Sequence, residues 1–194
     1  MNTLPLKPWS GPVCERRFRP RRQIGRPARS AYDQDRSQIT ADSLLRDRYR
    51  VAFQPGCSTG VLTARLAERC DRVIAQDVAA SAVAAAQCRC DTLHNVQISQ
   101  ADVAAGLPNE ELDLVVFSEL GYHFSATQLR ELARCMAARM GDNAEFVAVH
   151  GLGWSAAQRL SADQVHAVLG DELPLLSVKR VRYPTFRLDI WARI

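Results

Sequence analysis

The sequence predicts an α/β fold built on a doubly wound, mostly parallel sheet. Short apolar runs alternate with amphipathic helical segments over most of the 194 residues, and the links between them are short. Alternation of this kind places parallel strands side by side and covers both faces of the sheet with helices. The length suits one domain with a sizeable core.

The first half of the chain contains three predicted strands, each ending in a turn. A helical segment over residues 37–48 precedes them. Strands are predicted over 49–54, 72–76 and 96–99, and helices over 61–69 and 79–91.

The second half repeats this order. A strand over 112–117 is almost wholly apolar, as is typical of central strands covered on both faces. Leu129, Leu132 and Met136 have helical spacing within a helix over 127–139. A strand over 145–150 and a helix over 160–169 follow, and the helix begins with a capping box. Two extended segments, 175–183 and 185–193, predict a C-terminal antiparallel strand pair. The whole pattern is Rossmann-like.

The positive charge lies almost entirely in the N-terminal segment. Residues 1–29 carry eight basic side chains against one acidic side chain, a net charge of +7, so the rest of the chain carries −3. These residues hold five of the nine prolines and lack apolar periodicity. They predict a poorly ordered basic arm, followed by a domain over 30–194. The overall pI of 8.9 is therefore no sign that the folded domain binds nucleic acid.

We expect a cytoplasmic protein without a membrane partner or a bound metal. The N-terminus lacks the apolar core of a secretory signal, and no apolar run approaches the roughly 20 residues that span a bilayer. Six cysteines are too few for a disulfide scaffold. Cys88 and Cys90 have no second Cys or His pair nearby in the sequence, which disfavours a zinc site.

Candidate ligand-binding residues follow the first three strands. In doubly wound sheets the ligand lies beyond the carboxyl ends of the strands. Gly56 and Gly60 permit a tight turn there. Asp77, 21 residues after Gly56, is placed to accept hydrogen bonds from ribose hydroxyls, and Asp102 from an adenine amine. Together they predict an adenosine site, whereas the three-glycine dinucleotide motif is absent.

Polar side chains follow the fourth and fifth strands as well. Glu119, Tyr122 and His123 come after the fourth strand, and His150 ends the fifth. A histidine or glutamate with a pKa near the working pH suits the deprotonation of an acceptor. We therefore predict His150 as the first candidate catalytic base, followed by Glu119 and His123.

Each of these residues also has a structural interpretation. In that interpretation the glycines only shape a strand-helix turn, Asp77 only starts a helix, and Asp102 belongs to a turn. His150 is as readily a buried histidine at a strand end. His166 lies on a helix and is better explained as structural.

The segment 53–60 (FQPGCSTG), together with Asp77, Asp102 and the segment 113–119 (DLVVFSE), resembles class I S-adenosylmethionine-dependent methyltransferases. The run 48–194 is similar to the nodulation protein S (NodS) type, small N-methyltransferases of rhizobia. The similarity reaches back to Tyr32 and Arg36, where relatives carry an element that packs over the cofactor.

The resemblance implies a set of binding residues, with S-adenosyl-L-methionine as the cofactor and a small molecule as the methyl acceptor. Residues implied to face the acceptor are Tyr122, His123 and His150. Residues implied to bind the cofactor are Tyr32, Arg36, Gln54, Gly56, Cys57, Gly60, Asp77, Val78, Asp102, Val103, Ser118 and Glu119.

Two departures from the family pattern leave three hypotheses open. Gln54 stands where relatives carry an acid, and the segment 151–159 lacks the charged groups that relatives often place there. The first hypothesis is a methyltransferase acting on an amine or hydroxyl, possibly of a sugar or oligosaccharide. The second is a cofactor-binding protein with weak or no catalysis. The third, a nucleic-acid-modifying factor acting through the basic arm, ranks last because the arm has only two aromatic residues to stack on bases.

Overall fold

A central sheet organises the computed structural model, which describes the backbone of residues 27–193 and the side chains of residues 32–193. Its strands are β1 (Tyr49–Pro55), β2 (Cys70–Asp77), β3 (Val96–Gln100), β4 (Leu112–Ser118), β5 (Met140–Gly151), β6 (Leu176–Arg182) and β7 (Phe186–Ala192). The helices are α1 (Pro27–Asp42), α2 (Val61–Ala67), α3 (Ala80–Arg89), α4 (Ala126–Ala137) and α5 (Ala162–Glu172), with a 3-10 turn at Gly121–His123.

The strand order places a crevice near the middle of the sheet. The order is β3-β2-β1-β4-β5-β7-β6. Strands β1 to β5 pair in parallel, whereas β7 runs antiparallel between β5 and β6. This confirms the predicted Rossmann-like, mostly parallel sheet with its C-terminal antiparallel pair. The order reverses between β1 and β4, and ligands of such sheets bind at that switch.

Strand β4 shows why the centre of the sheet is apolar. Val115 and Phe117 pack on the face covered by α4 and α5, while Leu114 and Val116 pack on the face covered by α2. All four side chains are fully buried. The predicted strand with two covered faces is therefore confirmed.

Two of the helices begin at a capping box. Ser125 caps α4 and Ser161 caps α5, each through a capping box with the glutamine three residues later. The capping box predicted for α5 is thus confirmed. Within residues 27–193 no helix is both long and apolar enough to cross a membrane.

The start of the domain differs from the prediction. Helix α1 begins at Pro27, inside the segment predicted as an arm, because proline suits the first position of a helix. Residues 1–26 of that arm lie outside the described residues. The helix ends at Asp42 instead of continuing to residue 48. Arg69 ends it, since its guanidinium donates to the carbonyls of Ala41, Arg46 and Asp47.

Strand β5 is longer than predicted. It starts at Met140, five residues before the predicted start at residue 145, and residues 141–143 lie inside the strand as an irregularity. The register with β4 shifts between Leu112 and Leu114, and Asn143 has a φ of 58°. A bulge of this kind bends one strand without ending its pairing.

A buried carboxylate joins the start of β1 to β5. Glu145 is 2% exposed and accepts hydrogen bonds from the Tyr49 hydroxyl and from the Leu45 N–H. Burial raises the pKa of Glu145. Burial and the hydrogen bond to Glu145 also raise the pKa of Tyr49. The pair fixes the loop that leads from α1 into the sheet.

Replacing Tyr49 by phenylalanine removes the hydroxyl donor and leaves a buried carboxylate with fewer partners. We expect Tyr49→Phe to lower the free energy of unfolding by about 1–3 kcal/mol. Urea denaturation followed by circular dichroism measures this loss. Tyr183→Phe is the matched control, because it removes a hydroxyl from a partly exposed ring stacked on Phe186. Equal losses for the two variants would contradict the assignment.

Candidate functional site

A cavity of about 340 Å³, measured with its open mouth, lies at the carboxyl ends of β1, β2 and β3. The cavity brings together five of the predicted binding residues and four others. Its lining residues are Gly56, Gln76, Asp77, Val78, Ala101, Asp102, Val103, Leu120 and Phe124.

Asp77 connects the end of β2 to the glycine turn. One carboxylate oxygen accepts the Ser58 N–H at 2.9 Å, and the other accepts the Ala79 N–H at 3.0 Å. A carboxylate has about four acceptor positions, so two remain for a ligand. Asp102 is held in a similar way, since its Oδ1 accepts the Ala104 N–H at 2.9 Å. Both predicted carboxylates thus lie at fixed positions in the cavity wall.

The two predicted glycines have different structural roles. Both have a positive φ, 70° at Gly56 and 77° at Gly60. Gly56 lines the cavity, where a Cβ would lie 3.3 Å from the Leu120 side chain. At Gly60 a Cβ would lie 3.0 Å from the Ala86 backbone in α3. Gly60 therefore lets α2 and α3 approach each other, and the structure does not place it in the cavity wall.

The side chains of Cys57 and Gln54 also point to structural partners. Cys57 is 3% exposed and packs with Ala75 and Ala86, and burial raises the pKa of its thiol to about 12. Gln54 is buried at the end of β1, where its Oε1 accepts the Thr63 hydroxyl at 2.8 Å. The Cys57 thiol thus belongs to the core beneath the glycine turn, and the Gln54 oxygen is bound to α2.

A second group of predicted residues meets at the ends of β4 and β5. Glu119 has a φ of 56°. Its Oε1 accepts the Gly151 N–H at 2.5 Å, and its Oε2 accepts the Tyr122 hydroxyl at 2.9 Å. Arg36 of α1 lies 3.2 Å from Oε2, with its guanidinium over the Tyr32 ring. We call Tyr32, Arg36, Glu119, Tyr122 and Gly151 the anchor cluster.

The anchor cluster changes the interpretation of Glu119. Its carboxylate is paired with a cation and bound by two further donors, so the structure does not present it as a free base. Ser118, directly before it, is the last residue of β4 and pairs in register with Val149. Residues 118–124 therefore run from the anchor cluster to the cavity, where Leu120 and Phe124 lie.

His150 is buried with both ring nitrogens bound, so the structure does not present it as a free base, and its predicted contact with a substrate stays a prediction. The side chain is fully buried. Its Nε2 accepts the Gly121 N–H at 3.0 Å, and its Nδ1 lies 3.1 Å from Nε2 of His166. Burial and the proximity of His166, Arg36 and His123 lower the pKa of His150 well below its usual value.

His123 is buried as well, with 4% of its surface exposed and its ring edge-on to Tyr122. His123 therefore belongs to the same turn as Tyr122, and His150 packs against the start of that turn. His166, expected to be structural, contacts His150 and lies 3.0 Å from Asp189.

Sequence reasoning missed three residues of this region. Leu120 and Phe124 belong to a segment singled out for its polar residues, and their apolar side chains gave no ligand signal. Asp189 is far from His150 in sequence, and only the β5–β7 register brings the two strands together. The sequence contains one signal for Asp189. It is a charged residue between the apolar Leu188 and Ile190, and its side chain is buried.

The family model for a methyltransferase domain matches residues 53–142. A solved structure from Pseudomonas syringae, described as a methyltransferase, is 33% identical with a TM-score of 0.75. The match covers 84% of this chain and 99% of that chain. The chain belongs to the class I S-adenosylmethionine-dependent methyltransferases.

Two further solved methyltransferases share the fold. The N-methyltransferase NodS from Bradyrhizobium japonicum WM9, in complex with S-adenosyl-L-homocysteine, is 20% identical with a TM-score of 0.75 and covers 93% of this chain and 96% of its own. Magnesium protoporphyrin IX methyltransferase from Synechocystis PCC 6803, with bound S-adenosylmethionine, is 17% identical with a TM-score of 0.62, covering 85% and 79%. Among proteins with curated functions, none matches the sequence.

The buried histidines make the stability of this methyltransferase depend on pH. Burial lowers the pKa of both His150 and His166 in the fold, while the unfolded value is about 6.5. A base whose folded pKa is lowered loses stability as the pH falls below its unfolded pKa.

We expect each histidine to cost about 1 kcal/mol of unfolding free energy between pH 7.5 and pH 5.5. Urea denaturation at the two pH values measures the difference. His150→Gln should reduce the pH effect, whereas His94→Gln, at an exposed position, should leave it unchanged. An identical pH effect in all three proteins would show that the buried histidines titrate normally.

Proposed function

We propose that this methyltransferase transfers a methyl group to an amine or hydroxyl of a small molecule, with sugars and oligosaccharides as the first acceptors to test. The observation that carries the proposal is the cavity at the switch in strand order, with Asp77 and Asp102 in its wall. The anchor cluster lies at the ends of the adjoining strands, where an acceptor would enter.

The adenosine half of S-adenosylmethionine fits the residues of the cavity. The Asp77 carboxylate would accept hydrogen bonds from the ribose hydroxyls, and the Asp102 carboxylate from the adenine amine. Leu120, Phe124 and Val103 give apolar walls for a flat base. Val78 follows Asp77 in the same wall and completes the nucleoside contacts that we propose.

The methionine half would lie along the glycine turn. Gly56 allows close approach of the backbone, and the Cys57 and Gly60 backbone shapes the turn without side-chain contact. Gln54 offers an amide where relatives carry a charge, so it can orient the ligand by hydrogen bonding alone. Ser118 lies between the cavity and the anchor cluster.

When bound, S-adenosylmethionine supplies an electrophilic methyl group, and its transfer to an amine or hydroxyl releases the proton of the acceptor. The residues of this chain contribute chiefly by positioning, which can account for much of such a rate. Tyr32 and Arg36 hold α1 over the site, and Glu119 holds Tyr122 in place. Tyr122 is 1% exposed, and we propose that its buried ring forms the floor beneath the acceptor position.

Similarity to NodS supports an N-acceptor as one of the options. NodS is an N-methyltransferase, and the two chains match over nearly their full lengths. We therefore propose a NodS-like arrangement and place amino sugars ahead of simple alcohols in the order of testing.

A cofactor-binding protein with weak or no catalysis is the second candidate. Two observations favour it, since the Gln54 oxygen is bound to Thr63 and the Glu119 carboxylate is bound to three partners. Measured turnover with any acceptor decides between the two candidates.

Asp77→Ala should weaken binding of S-adenosyl-L-homocysteine about 10- to 100-fold, because a charged hydrogen-bond acceptor for the ribose is lost. Isothermal titration calorimetry measures the affinity. Asp71→Ala is the matched control, since Asp71 begins the same strand but is half-exposed and pairs with Arg48. Comparable affinities for the wild type and Asp77→Ala would place the cofactor elsewhere.

Incubation with S-adenosylmethionine and a panel of amino sugars, sugars and hydroxylated aromatic compounds should release S-adenosyl-L-homocysteine with at least one of them. Mass spectrometry of the product distinguishes N- from O-methylation. Asp77→Ala should lose the release, which separates the reaction from contaminants. Tight cofactor binding without release across the panel would favour the second candidate.

A further inference from the structure

A chain of buried polar groups runs from β7 to the turn after β4. The Gly121 N–H lies 3.0 Å from His150 Nε2, and His150 Nδ1 lies 3.1 Å from His166 Nε2. His166 Nδ1 lies 3.0 Å from Asp189 Oδ2. Each of the three side chains is at most 1% exposed. We call His150, His166 and Asp189 the buried relay.

The Gly121 N–H at one end of the relay and the Asp189 carboxylate at the other determine which ring nitrogens of the two histidines carry a proton. A backbone N–H can only donate, so His150 Nε2 accepts and the His150 proton is on Nδ1. His150 therefore donates to Nε2 of His166, whose own proton is then on Nδ1. That nitrogen lies 3.0 Å from the Asp189 carboxylate, which is the acceptor nearest to it among the contacts of the relay. Both histidines are neutral in this arrangement, each with its proton on Nδ1.

Asp189 can act as the acceptor at the end of the relay because Arg187 keeps its carboxylate ionised. Two guanidinium nitrogens of Arg187 donate to its carboxylate, the shorter contact being 2.7 Å. Burial would raise the pKa of Asp189, but the hydrogen bonds from His166 and Arg187 outweigh burial and lower it. An ionised carboxylate accepts hydrogen bonds and cannot donate them. The ionised Asp189 carboxylate therefore determines that each histidine donates its hydrogen bond toward Asp189.

The other end of the relay, at Gly121, is closely packed. A Cβ on Gly121 would lie 2.9 Å from His150 Nε2 and 2.5 Å from the Val165 side chain. Glycine is thus required there for close packing against His150. The turn that begins at Gly121 carries Tyr122, whose hydroxyl donates to Glu119 in the anchor cluster. A small displacement at Gly121 would therefore move Tyr122.

We propose that Asp189 and His166 are positioning residues of this methyltransferase: they fix the tautomer of His150, which holds the Gly121–His123 turn and so sets Tyr122 for the acceptor. The placement of Tyr122 toward an acceptor rests on the proposed function. The histidine tautomers and the hydrogen bond from the Gly121 N–H to His150 do not depend on the proposed function.

The decisive variant is Asp189→Asn, which keeps the shape of the side chain but can donate as well as accept. The asparagine amide can reverse the relay by donating to His166 Nδ1. His150 would then carry its proton on Nε2, facing the Gly121 N–H with no acceptor between them. Asp163→Asn is the matched control, because Asp163 also pairs with Arg187 but is half-exposed and lies outside the relay.

Nitrogen-15 NMR of the histidine rings reads the tautomers in the complex with S-adenosyl-L-homocysteine. The wild type and Asp163→Asn should show both relay histidines with the proton on Nδ1. Asp189→Asn should show a change at His150, and hydrogen exchange of the Gly121 amide should become about tenfold faster. An Nε2 proton on His150 in the wild type would overturn the proposal without any variant.

A double-mutant comparison separates this role from a general loss of structure. In His150→Gln the side-chain oxygen accepts the Gly121 N–H whatever residue stands at position 189. Adding Asp189→Asn to His150→Gln should therefore leave the Gly121 exchange rate unchanged, although it speeds exchange in the wild-type background. Equal acceleration in both backgrounds would show that Asp189 acts only on global stability.

The catalytic readout uses an acceptor identified by the release of S-adenosyl-L-homocysteine. Asp189→Asn should lower kcat at least about tenfold, while the affinity for S-adenosyl-L-homocysteine stays within about twofold of the wild type. Unchanged kcat together with altered tautomers would overturn the positioning role. Because the NMR and exchange measurements need no acceptor, a failure of the proposed function is distinguishable from a failure of the relay.

Discussion

The Glu119 carboxylate is the contact on which the anchor cluster depends. It binds Arg36 of α1, the Tyr122 hydroxyl and the Gly151 N–H, and so joins three parts of the chain that are distant in sequence. Removing Arg36 would be costly, because the partly buried Glu119 carboxylate would lose the cation that it is paired with. The positive φ of Glu119 is maintained by these contacts. Helix α1 therefore lies over the sheet through an ion pair as well as through apolar packing.

The segment after β4 couples the two halves of the site. Its apolar side chains, Leu120 and Phe124, line the cavity, while Glu119 and Tyr122 belong to the anchor cluster. A ligand pressing on Leu120 acts on the same few residues that hold Tyr122. Binding in the cavity and ordering of the acceptor side are thus expected to be linked through a single short turn.

The sequence was sufficient for the fold and for one half of the site. Asp77 and Asp102 could be predicted because parallel strands bring their carboxyl ends to the same edge of the sheet. His150 ends such a strand too, but whether it faces solvent depends on α5 and β7, which supply His166 and Asp189. The spacing of residues within one segment does not reveal long-range contacts of that kind. Gly60 shows the same limit, since its partner Ala86 comes from another helix.

The buried relay explains how a histidine at a strand end can matter without touching an acceptor. Both ring nitrogens of His150 are bound, so its influence passes through the Gly121 amide to Tyr122. The segment between β5 and α5 reaches the same turn from outside, because the Arg159 N–H donates to the Tyr122 carbonyl at 2.7 Å. Trp154 of that segment is 67% exposed. The Tyr122 turn is thus held from the core by the relay and from the surface by a segment with an exposed aromatic side chain.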